Sequence, residues 1–165
     1  MVTIVTGKIN SGKTTFLENL YHKNKSGDGF IARKYFLNGG IHHFTLERLS
    51  NKDTYSWMIH QKFYQNEFEK TEKFGPYYMN LETLEIVTSI YDDLLESGIS
   101  PLFVDEVGVL ELQKKGYYAI LNKLLANQIE VIFSAREDLV DSLVHFFKIS
   151  DYQVKEVKIK EKNNV

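Results

Sequence analysis

The sequence predicts an α/β domain in which a mainly parallel central sheet carries an antiparallel, β-rich insertion. Strand-like and helix-like segments alternate at both ends of the chain, which is typical of parallel sheets covered by helices. Between them, residues 30–79 are rich in aromatic and β-branched side chains. The length of 165 residues fits one hydrophobic core, so we expect a single domain over residues 1–165.

The first two elements form a strand–loop–helix unit. Residues 2–6 are a short β-branched run stopped by Gly7, the profile of a buried strand. Residues 13–21 change to helical spacing, with the apolar side chains on one face. Residues 24–29 contain two glycines among polar residues and predict a turn that ends the unit.

The insertion follows this turn. Its three apolar, aromatic-rich runs, at residues 30–37, 41–49 and 55–60, predict antiparallel strands. Asn38-Gly39 lies between the first two runs and favours a hairpin, because both residues tolerate positive φ. Residues 61–75 are polar with scattered aromatic side chains, so we interpret them as a long exposed loop or a frayed helix.

The second half of the chain returns to alternating elements. Helical spacing begins after Asn80, a plausible N-cap, and ends near Gly98. Further along, apolar runs and helical spacing predict a strand at 102–104, a helix at 117–125, a strand at 129–133, a helix at 139–147 and a last strand around 154–159.

Composition excludes several functional classes. The chain has 20 Lys plus Arg against 22 Asp plus Glu, so it lacks the basic excess of a general nucleic-acid binder. It has no cysteine, which excludes disulfides, thiolate metal sites and thiol nucleophiles. Neither a signal peptide nor a membrane-length apolar run is present, so we expect a monomeric, cytoplasmic protein without membrane partners.

A phosphate-binding motif occupies residues 7–14, which match G-x-x-x-x-G-K-[ST] at every fixed position. The motif follows a predicted strand and precedes a predicted helix, as phosphate binding requires. The competing interpretation, a glycine-rich turn that only caps a helix, does not account for this context. We therefore expect a nucleoside triphosphate to be bound by Gly7, Lys8, Ile9, Asn10, Ser11, Gly12, Lys13, Thr14 and Thr15.

Each position of the motif has a physical role. Gly7 and Gly12 allow backbone angles closed to other residues, so that successive N–H groups can face the phosphates. Lys13 is expected to reach the β- and γ-phosphates and to act in catalysis. The Thr14 hydroxyl is expected to coordinate Mg²⁺, and Thr15 to donate to the α-phosphate.

A second motif, which is acidic, follows the apolar strand at residues 102–104. Its two carboxylates, Asp105 and Glu106, point in opposite directions if the strand geometry continues. In a phosphate-loop enzyme the aspartate at this point supports Mg²⁺. Glu106 is then placed to orient and deprotonate a water for attack on the γ-phosphate. Together with the phosphate loop, the pair predicts a triphosphate, Mg²⁺ and water as acceptor.

Residues 105–112, Asp-Glu-Val-Gly-Val-Leu-Glu-Leu, resemble the Asp-Glu-Ile-Gly-x-Met-Glu-Leu signature of the small nucleoside-triphosphate phosphatases. This family was first described in thermophiles and includes the human cancer-related nucleoside-triphosphatase. Gly29-Phe30 and residues 74–78 extend the resemblance to about residue 136. It implies a three-layer, RecA-like P-loop domain that hydrolyses ATP, GTP, CTP or UTP to the diphosphate. It also implies a role for Glu111, an acidic position of the signature.

The chain departs from this family pattern at two places. Residues 9–11 are Ile-Asn-Ser where family members usually carry a Pro-Gly pair, and Asn10 can partly compensate by donating its amide to the γ-phosphate. Residues 41–44, Ile-His-His-Phe, stand where the family tends to have Arg-x-Gly-Phe. The role of those family arginines therefore does not transfer to this chain.

Only three arginines are present, which limits the mechanisms open to the chain. Arg136 follows a predicted central strand, so we expect it at the carboxyl edge of the sheet, where it can stabilise charge on the γ-phosphate. Arg33 and Arg48 are interpreted as exposed strand residues. Neighbouring His42 and His43 should face opposite sides of a strand and so should not share a metal ion.

Function remains open between three alternatives. Hydrolysis of nucleoside triphosphates is favoured by the loop, the Asp105-Glu106 pair and the family resemblance. A nucleotide or small-molecule kinase uses the same phosphate machinery but commonly clamps its substrates with several arginines. A nucleotide-dependent switch or adaptor would turn over slowly until a partner binds. The aromatic residues Tyr55, Trp57, Tyr77 and Tyr78 could stack on a nucleobase, but core packing explains them more simply.

Overall fold

The computed structural model describes residues 1–159 and alternates strands with helices. The first half contains β1 (Val2–Gly7), α1 (Lys13–Asn24), β2 (Asp28–Leu37), β3 (Gly40–Arg48), β4 (Thr54–His60), β5 (Thr71–Phe74) and β6 (Tyr77–Asn80). The second half contains α2 (Leu81–Glu96), β7 (Leu102–Val104), α3 (Val109–Leu112), α4 (Tyr118–Ala126), β8 (Val131–Arg136), α5 (Val140–Phe146) and β9 (Tyr152–Glu156). The end of the predicted domain, residues 160–165, lies outside the described part.

Within residues 1–159, nine strands form one mixed sheet in the order β5-β6-β4-β3-β2-β7-β8-β1-β9. The half that contains β1, β7, β8 and β9 is parallel, and it includes the first residues of β2. The other half, from β2 to β5, is antiparallel throughout. The predicted parallel core and antiparallel insertion are therefore confirmed, and the insertion extends the central sheet through the long strand β2.

Helices cover both faces of the parallel half, which makes the three layers expected of this fold class. Successive residues of the central strands point to opposite faces of the sheet. Ile4 belongs to the larger core, which α2, α4 and α5 cover, and Val5 belongs to the smaller core, which α1 covers. Both side chains are fully buried. Burial on both faces explains why these strands are continuous apolar runs. No helix within residues 1–159 combines the length and apolar character needed to cross a bilayer.

Residues 61–75 differ from the prediction of a long loop or frayed helix. Their last part forms β5, which pairs with β6 across a turn at Gly75-Pro76. The charged side chains of β5 are compatible with a strand because β5 is the edge of the sheet and alternate residues face solvent. Sequence periodicity missed β6 as well, because it has only four residues before α2 begins at its Asn80 cap.

The hairpin between β2 and β3 corrects the prediction for the two histidines. The register shifts after Tyr35, so that Tyr35 pairs with His43 and Phe36 with Ile41, and His42 is the extra residue of a β-bulge. The Nδ1 atoms of His42 and His43 consequently lie 2.7 Å apart instead of on opposite faces. Among residues 1–159, however, no group of three or more His, Cys, Asp or Glu is arranged to hold a metal ion.

Candidate functional site

The loop from β1 to α1 presents the predicted phosphate-binding residues at the carboxyl edge of the sheet. Gly12 is the N-cap of α1 with φ of 96°, a left-handed angle that favours glycine. The prediction that Gly7 needs a backbone angle closed to other residues is wrong, because Gly7 belongs to β1 and its φ is not positive. A side chain at Gly7 would instead collide with Ser11 and with the backbone of Val157, so close approach is what requires glycine there.

Lys13 lies in the floor of this loop. Its side chain is largely buried, and Nζ donates to the carbonyl oxygens of Lys8 at 2.7 Å and Gly7 at 3.2 Å. Burial lowers the pKa of the Lys13 ammonium from its ordinary value, while the nearby carboxylate of Glu106 partly opposes this change. The ammonium is thus held by the loop's own backbone at the point where the motif predicts phosphate contact.

Asp105 connects the loop to the centre of the sheet. It is fully buried at the end of β7, and its Oδ2 accepts hydrogen bonds from Thr14 Oγ1 at 2.7 Å and from the Ala32 amide at 3.0 Å. Its Oδ1 accepts a short hydrogen bond from Ser134 Oγ. Burial raises the pKa of Asp105, and the adjacent Glu106 carboxylate raises it further.

The Thr14–Asp105 contact brings together the two residues predicted to serve Mg²⁺. They are 91 positions apart in sequence, and a hydroxyl and a carboxylate oxygen meet beside the phosphate loop. Hard oxygen atoms of this kind are the donors that Mg²⁺ prefers, and most of its remaining ligands are usually water and phosphate oxygens. The residues present therefore fit a phosphate-bound Mg²⁺ ion.

Glu106 has an unusual backbone, which sequence reasoning did not anticipate. Its φ is 61°, and a non-glycine residue in this region is strained. Two hydrogen bonds from its amide hold this conformation, to Ser134 Oγ at 2.8 Å and to Asp105 Oδ1 at 3.1 Å. The turn leaves the carboxylate partly exposed in the phosphate pocket, 3.2 Å from the ammonium of Lys34.

Lys34 and Ser134 are site residues that the sequence analysis missed. Lys34 is an ordinary charge in β2, and only the pairing of β2 with β7 brings it to the pocket. Ser134 lies on β8, which runs to Arg136 and so extends beyond the predicted strand at residues 129–133. A polar residue that continues an apolar central strand is a signal that could have identified Ser134, because such a residue needs a buried partner.

The predicted loop residues divide into two groups. A pocket of about 360 Å³ is lined by Asn10, Ser11, Gly12, Lys13, Thr14 and Thr15, together with Ala32, Arg33, Lys34 and Glu106. Gly7, Lys8 and Ile9 do not line it, and the Ile9 side chain is exposed. The structure thus brings Lys13, Thr14 and Glu106 together in one pocket. The second predicted metal residue, Asp105, does not line this pocket but is hydrogen-bonded to Thr14.

All three arginines are bound to carboxylates. Arg136 is partly exposed at the end of β8 and makes two hydrogen bonds to Asp138, at 2.8 and 2.9 Å. Arg33 and Arg48 are half-buried rather than exposed as predicted: Arg33 pairs with Glu18 and Glu47, and Arg48 with Asp28. The prediction failed because neighbouring elements supply carboxylates that cannot be located from periodicity.

Glu111 organises the loop that follows Glu106. It is buried, and its two carboxylate oxygens accept from the amides of Gly108 at 2.7 Å and Tyr117 at 3.0 Å. Burial raises its pKa to about 7 despite these hydrogen bonds. The signature glutamate therefore connects the two ends of this loop.

A second cavity opens on the other side of Glu106. This aromatic cavity has a volume of about 390 Å³ and shares only Ala32 and Glu106 with the phosphate pocket. Its wall is mainly apolar and includes five aromatic side chains, Phe44, Trp57, Phe74, Tyr77 and Tyr117. Among the aromatic residues of the insertion that were predicted to fill a core, Trp57 belongs to the larger core, and Tyr55 and Tyr77 pack against it.

Comparisons with known proteins agree with this geometry. The chain resembles the crystal structure of THEP1 from the hyperthermophile Aquifex aeolicus, with a TM-score of 0.74 and 18% sequence identity, over 96% of this chain and 90% of that one. This likeness confirms the fold. No curated protein has a significant sequence match to the chain. The family model described as NTPase matches residues 2–165, so the chain belongs to the NTPase family and is a nucleoside-triphosphatase.

Proposed function

We propose that the protein hydrolyses ATP, GTP, CTP and UTP to the diphosphate and phosphate in a Mg²⁺-dependent reaction. The observation that carries this proposal is that Lys13, Thr14 and Glu106 line one pocket, while the buried Asp105 accepts a hydrogen bond from Thr14 Oγ1 at 2.7 Å. Family membership supports triphosphate hydrolysis, and these residues supply the groups that the reaction needs.

Thr14 and Asp105 would hold Mg²⁺ at the phosphate loop. When bound, the ion neutralises charge on the phosphate oxygens. Lys13 binds the same phosphates from the floor of the loop, and the amides at the start of α1 add hydrogen bonds and the positive end of the helix dipole. The buried Asp105 is prevented from moving by its bonds to Ala32 and Ser134.

Glu106 accepts a proton from the attacking water. Its backbone turn places the carboxylate in the phosphate pocket, while the hydrogen bonds to its amide keep that turn in place. Lys34 supplies a second positive charge near the γ-phosphate. Arg136 lies near Glu106 in the wall of the aromatic cavity and could assist there if it leaves Asp138.

Tolerance of different bases follows from how the pocket binds. The residues predicted to contact the triphosphate use backbone amides, a lysine and hydroxyl groups, all of which recognise phosphate oxygens rather than a base. The Thr15 end of the pocket, where the α-phosphate is expected, contributes no aromatic side chain. We therefore expect similar rates with all four triphosphates.

Phosphate release from the four triphosphates, with Mg²⁺ and with excess chelator, tests the proposal. Wild-type protein should release phosphate only with Mg²⁺, and Glu106→Gln should lower kcat about 100-fold or more, because general-base catalysis contributes that much. Glu96→Gln, on the exposed end of α2, is the matched control with unchanged rate. Full activity of Glu106→Gln, or no phosphate from any triphosphate, would refute the proposal.

A further inference from the structure

Apart from Asp105, Glu106 and Arg136, the residues that line the aromatic cavity have no role in the proposed hydrolysis, although the cavity adjoins the reacting end of the site. It meets the phosphate pocket at Glu106, and none of the loop residues 10–15 lines it. The γ-phosphate is expected beside Lys13, Asp105 and Glu106, whereas the nucleoside extends past Thr15 in the other direction. A molecule in the aromatic cavity would therefore face the γ-phosphate and not the nucleobase.

The walls of the cavity define the kind of molecule that it fits. Its volume of about 390 Å³ lies within the range of small-molecule sites and can hold a molecule the size of a nucleoside. Phe44, Trp57, Phe74 and Tyr77 present aromatic surface from the insertion, and rings of this kind favour flat, aromatic ligands.

Tyr117 adds a polar requirement. Its side chain is buried in the wall of the cavity, and within residues 1–159 its hydroxyl has no hydrogen-bond partner. A buried hydroxyl without a partner is costly and uncommon in folded proteins. A ligand with an oxygen or nitrogen acceptor would satisfy it. The ligand is therefore an aromatic molecule that also carries polar groups.

Charges around the cavity indicate that this ligand has no phosphate of its own. The lining includes three carboxyl groups, those of Asp105, Glu106 and Glu111. Arg136 is the only Lys or Arg among the lining residues, and both of its bonds go to Asp138. These carboxyl groups would repel a phosphorylated ligand. The scarcity of arginine argues against a kinase whose acceptor is itself a nucleotide, but a neutral acceptor needs no arginine to bind it.

We propose that the aromatic cavity binds a neutral aromatic alcohol about the size of a nucleoside, whose hydroxyl accepts the γ-phosphate in place of water. In this step the hydroxyl gives its proton to the Glu106 carboxylate, and its oxygen forms the new bond to the γ-phosphorus. The bond from that phosphorus to the β,γ-bridging oxygen breaks, and the nucleoside diphosphate leaves with the electron pair. The products are a phosphomonoester and the diphosphate. This proposal rests on the proposed function, because both use the same phosphate machinery.

Binding can be measured without turnover, since Trp57 is the only tryptophan of the chain and lines the cavity. Uridine, adenosine and pyridoxine are titrated while Trp57 fluorescence is recorded, with ribose as the matched probe that has hydroxyls but no aromatic ring. At least one aromatic probe should give a saturable change in Trp57 fluorescence, and ribose should give none. The change should persist when a non-hydrolysable ATP analogue and Mg²⁺ are present. Displacement by the analogue would overturn the proposal and assign the cavity to the nucleobase, and so would the absence of any saturable change.

Two conservative variants test the role of the cavity wall. Tyr117→Phe removes only the unpartnered hydroxyl and should weaken binding of the aromatic probe about fivefold, the effect of one hydrogen bond. Tyr118→Phe is the control, because the Tyr118 ring packs against Phe146 and Phe147 and does not line the cavity. Equal affinity of the two variants, each with a wild-type melting temperature, would contradict the proposed role of Tyr117.

Transfer is measured with γ-labelled ATP and the probe that binds. A labelled phosphomonoester should form, and the yield of free phosphate should fall by the same amount. Phosphate release without any ester would overturn the transfer proposal and leave hydrolysis intact. No release of phosphate from any triphosphate, with probe binding still observed, would instead refute the proposed hydrolysis.

Discussion

The two ends of the candidate site are built in different ways. The phosphate-loop end comes from one continuous segment, in which Gly12 and the start of α1 present backbone amides and Lys13 presents a charge. The Glu106 end is assembled from β2, β7 and β8, with the insertion strands forming the aromatic cavity behind it. Buried side-chain hydrogen bonds hold this second end together, including the one from the Glu106 amide to Ser134 that keeps the Glu106 turn in place.

This difference separates binding from chemistry. In the proposed mechanism the continuous loop recognises phosphate oxygens, which every nucleoside triphosphate carries, so that end has no means of selecting the acceptor. In the proposed mechanism the Glu106 end decides which oxygen attacks, because the proposed base and the aromatic cavity both lie there. Variants at the loop end should therefore affect every reaction of the protein, whereas variants at the Glu106 end should change rate, pH dependence and acceptor separately.

The largest expected effect belongs to the loop end. Lys13→Ala should lower kcat/KM for all four triphosphates about 1,000-fold, because the ammonium stabilises charge on the phosphates within a largely buried site. Lys23→Ala, in the last turn of α1, is the matched loss of one lysine and should leave the rate unchanged. A loss of activity confined to one triphosphate would contradict this prediction, because the loop would then recognise the base rather than the phosphates.

Glu111 should make stability depend on pH at the Glu106 end. Its pKa is raised from 4.5 to about 7 in the folded protein, so the folded state binds an extra proton between these values. The stabilisation is complete below pH 4.5 and is lost as pH rises through about 7, a change of about 3 kcal/mol in the free energy of unfolding. Urea unfolding at the two ends of this window measures it.

Glu111→Gln removes the titrating group and should flatten this part of the pH profile. Glu96→Gln provides the exposed control. An unchanged pH profile in Glu111→Gln would show that another group causes the dependence.

Ser134→Ala should reduce kcat about 30-fold by loosening both carboxylates at once. The hydroxyl donates to Asp105 and accepts from the Glu106 amide, so its loss removes one of the bonds that hold the strained turn. If Asp105 supports Mg²⁺, the Mg²⁺ concentration for half-maximal rate should rise as well, an effect that a purely structural role would not produce. Ser97→Ala, at the exposed end of α2, serves as control.

The smallest effects concern the two cations on either side of Glu106. Lys34→Ala should lower kcat about tenfold, since Lys34 lies in the phosphate pocket. Arg136→Ala should lower kcat only about threefold, because Asp138 already neutralises Arg136. Lys34→Arg should restore most of the rate. A loss near 1,000-fold in Arg136→Ala would reverse this order, because it would match an arginine that acts directly on the γ-phosphate.

The local parts of the site were predictable because their signals are local. The strand–loop–helix unit of residues 2–24, the Asn80 cap of α2 and the Asp105-Glu106 pair are all visible as short patterns of residue type. The same locality explains the failures. β5 and β6 are too short to show a period, and the bulge at His42 depends on how two strands pair.

Sequence alone was sufficient for the fold class and for the positions of the β1–α1 loop and the acidic strand end, because spacing along the chain determines which backbone groups and carboxylates lie at one edge of a parallel sheet. The other features of the site depend on contacts in the tertiary structure. Lys34 lies beside Glu106, Ser134 donates to Asp105, and each of the three arginines pairs with a carboxylate. These contacts depend on strand order and register, which bring together residues that have no fixed separation in sequence. The aromatic cavity belongs to this second group, since strands of the insertion and the loop after β7 close around it only in the folded sheet.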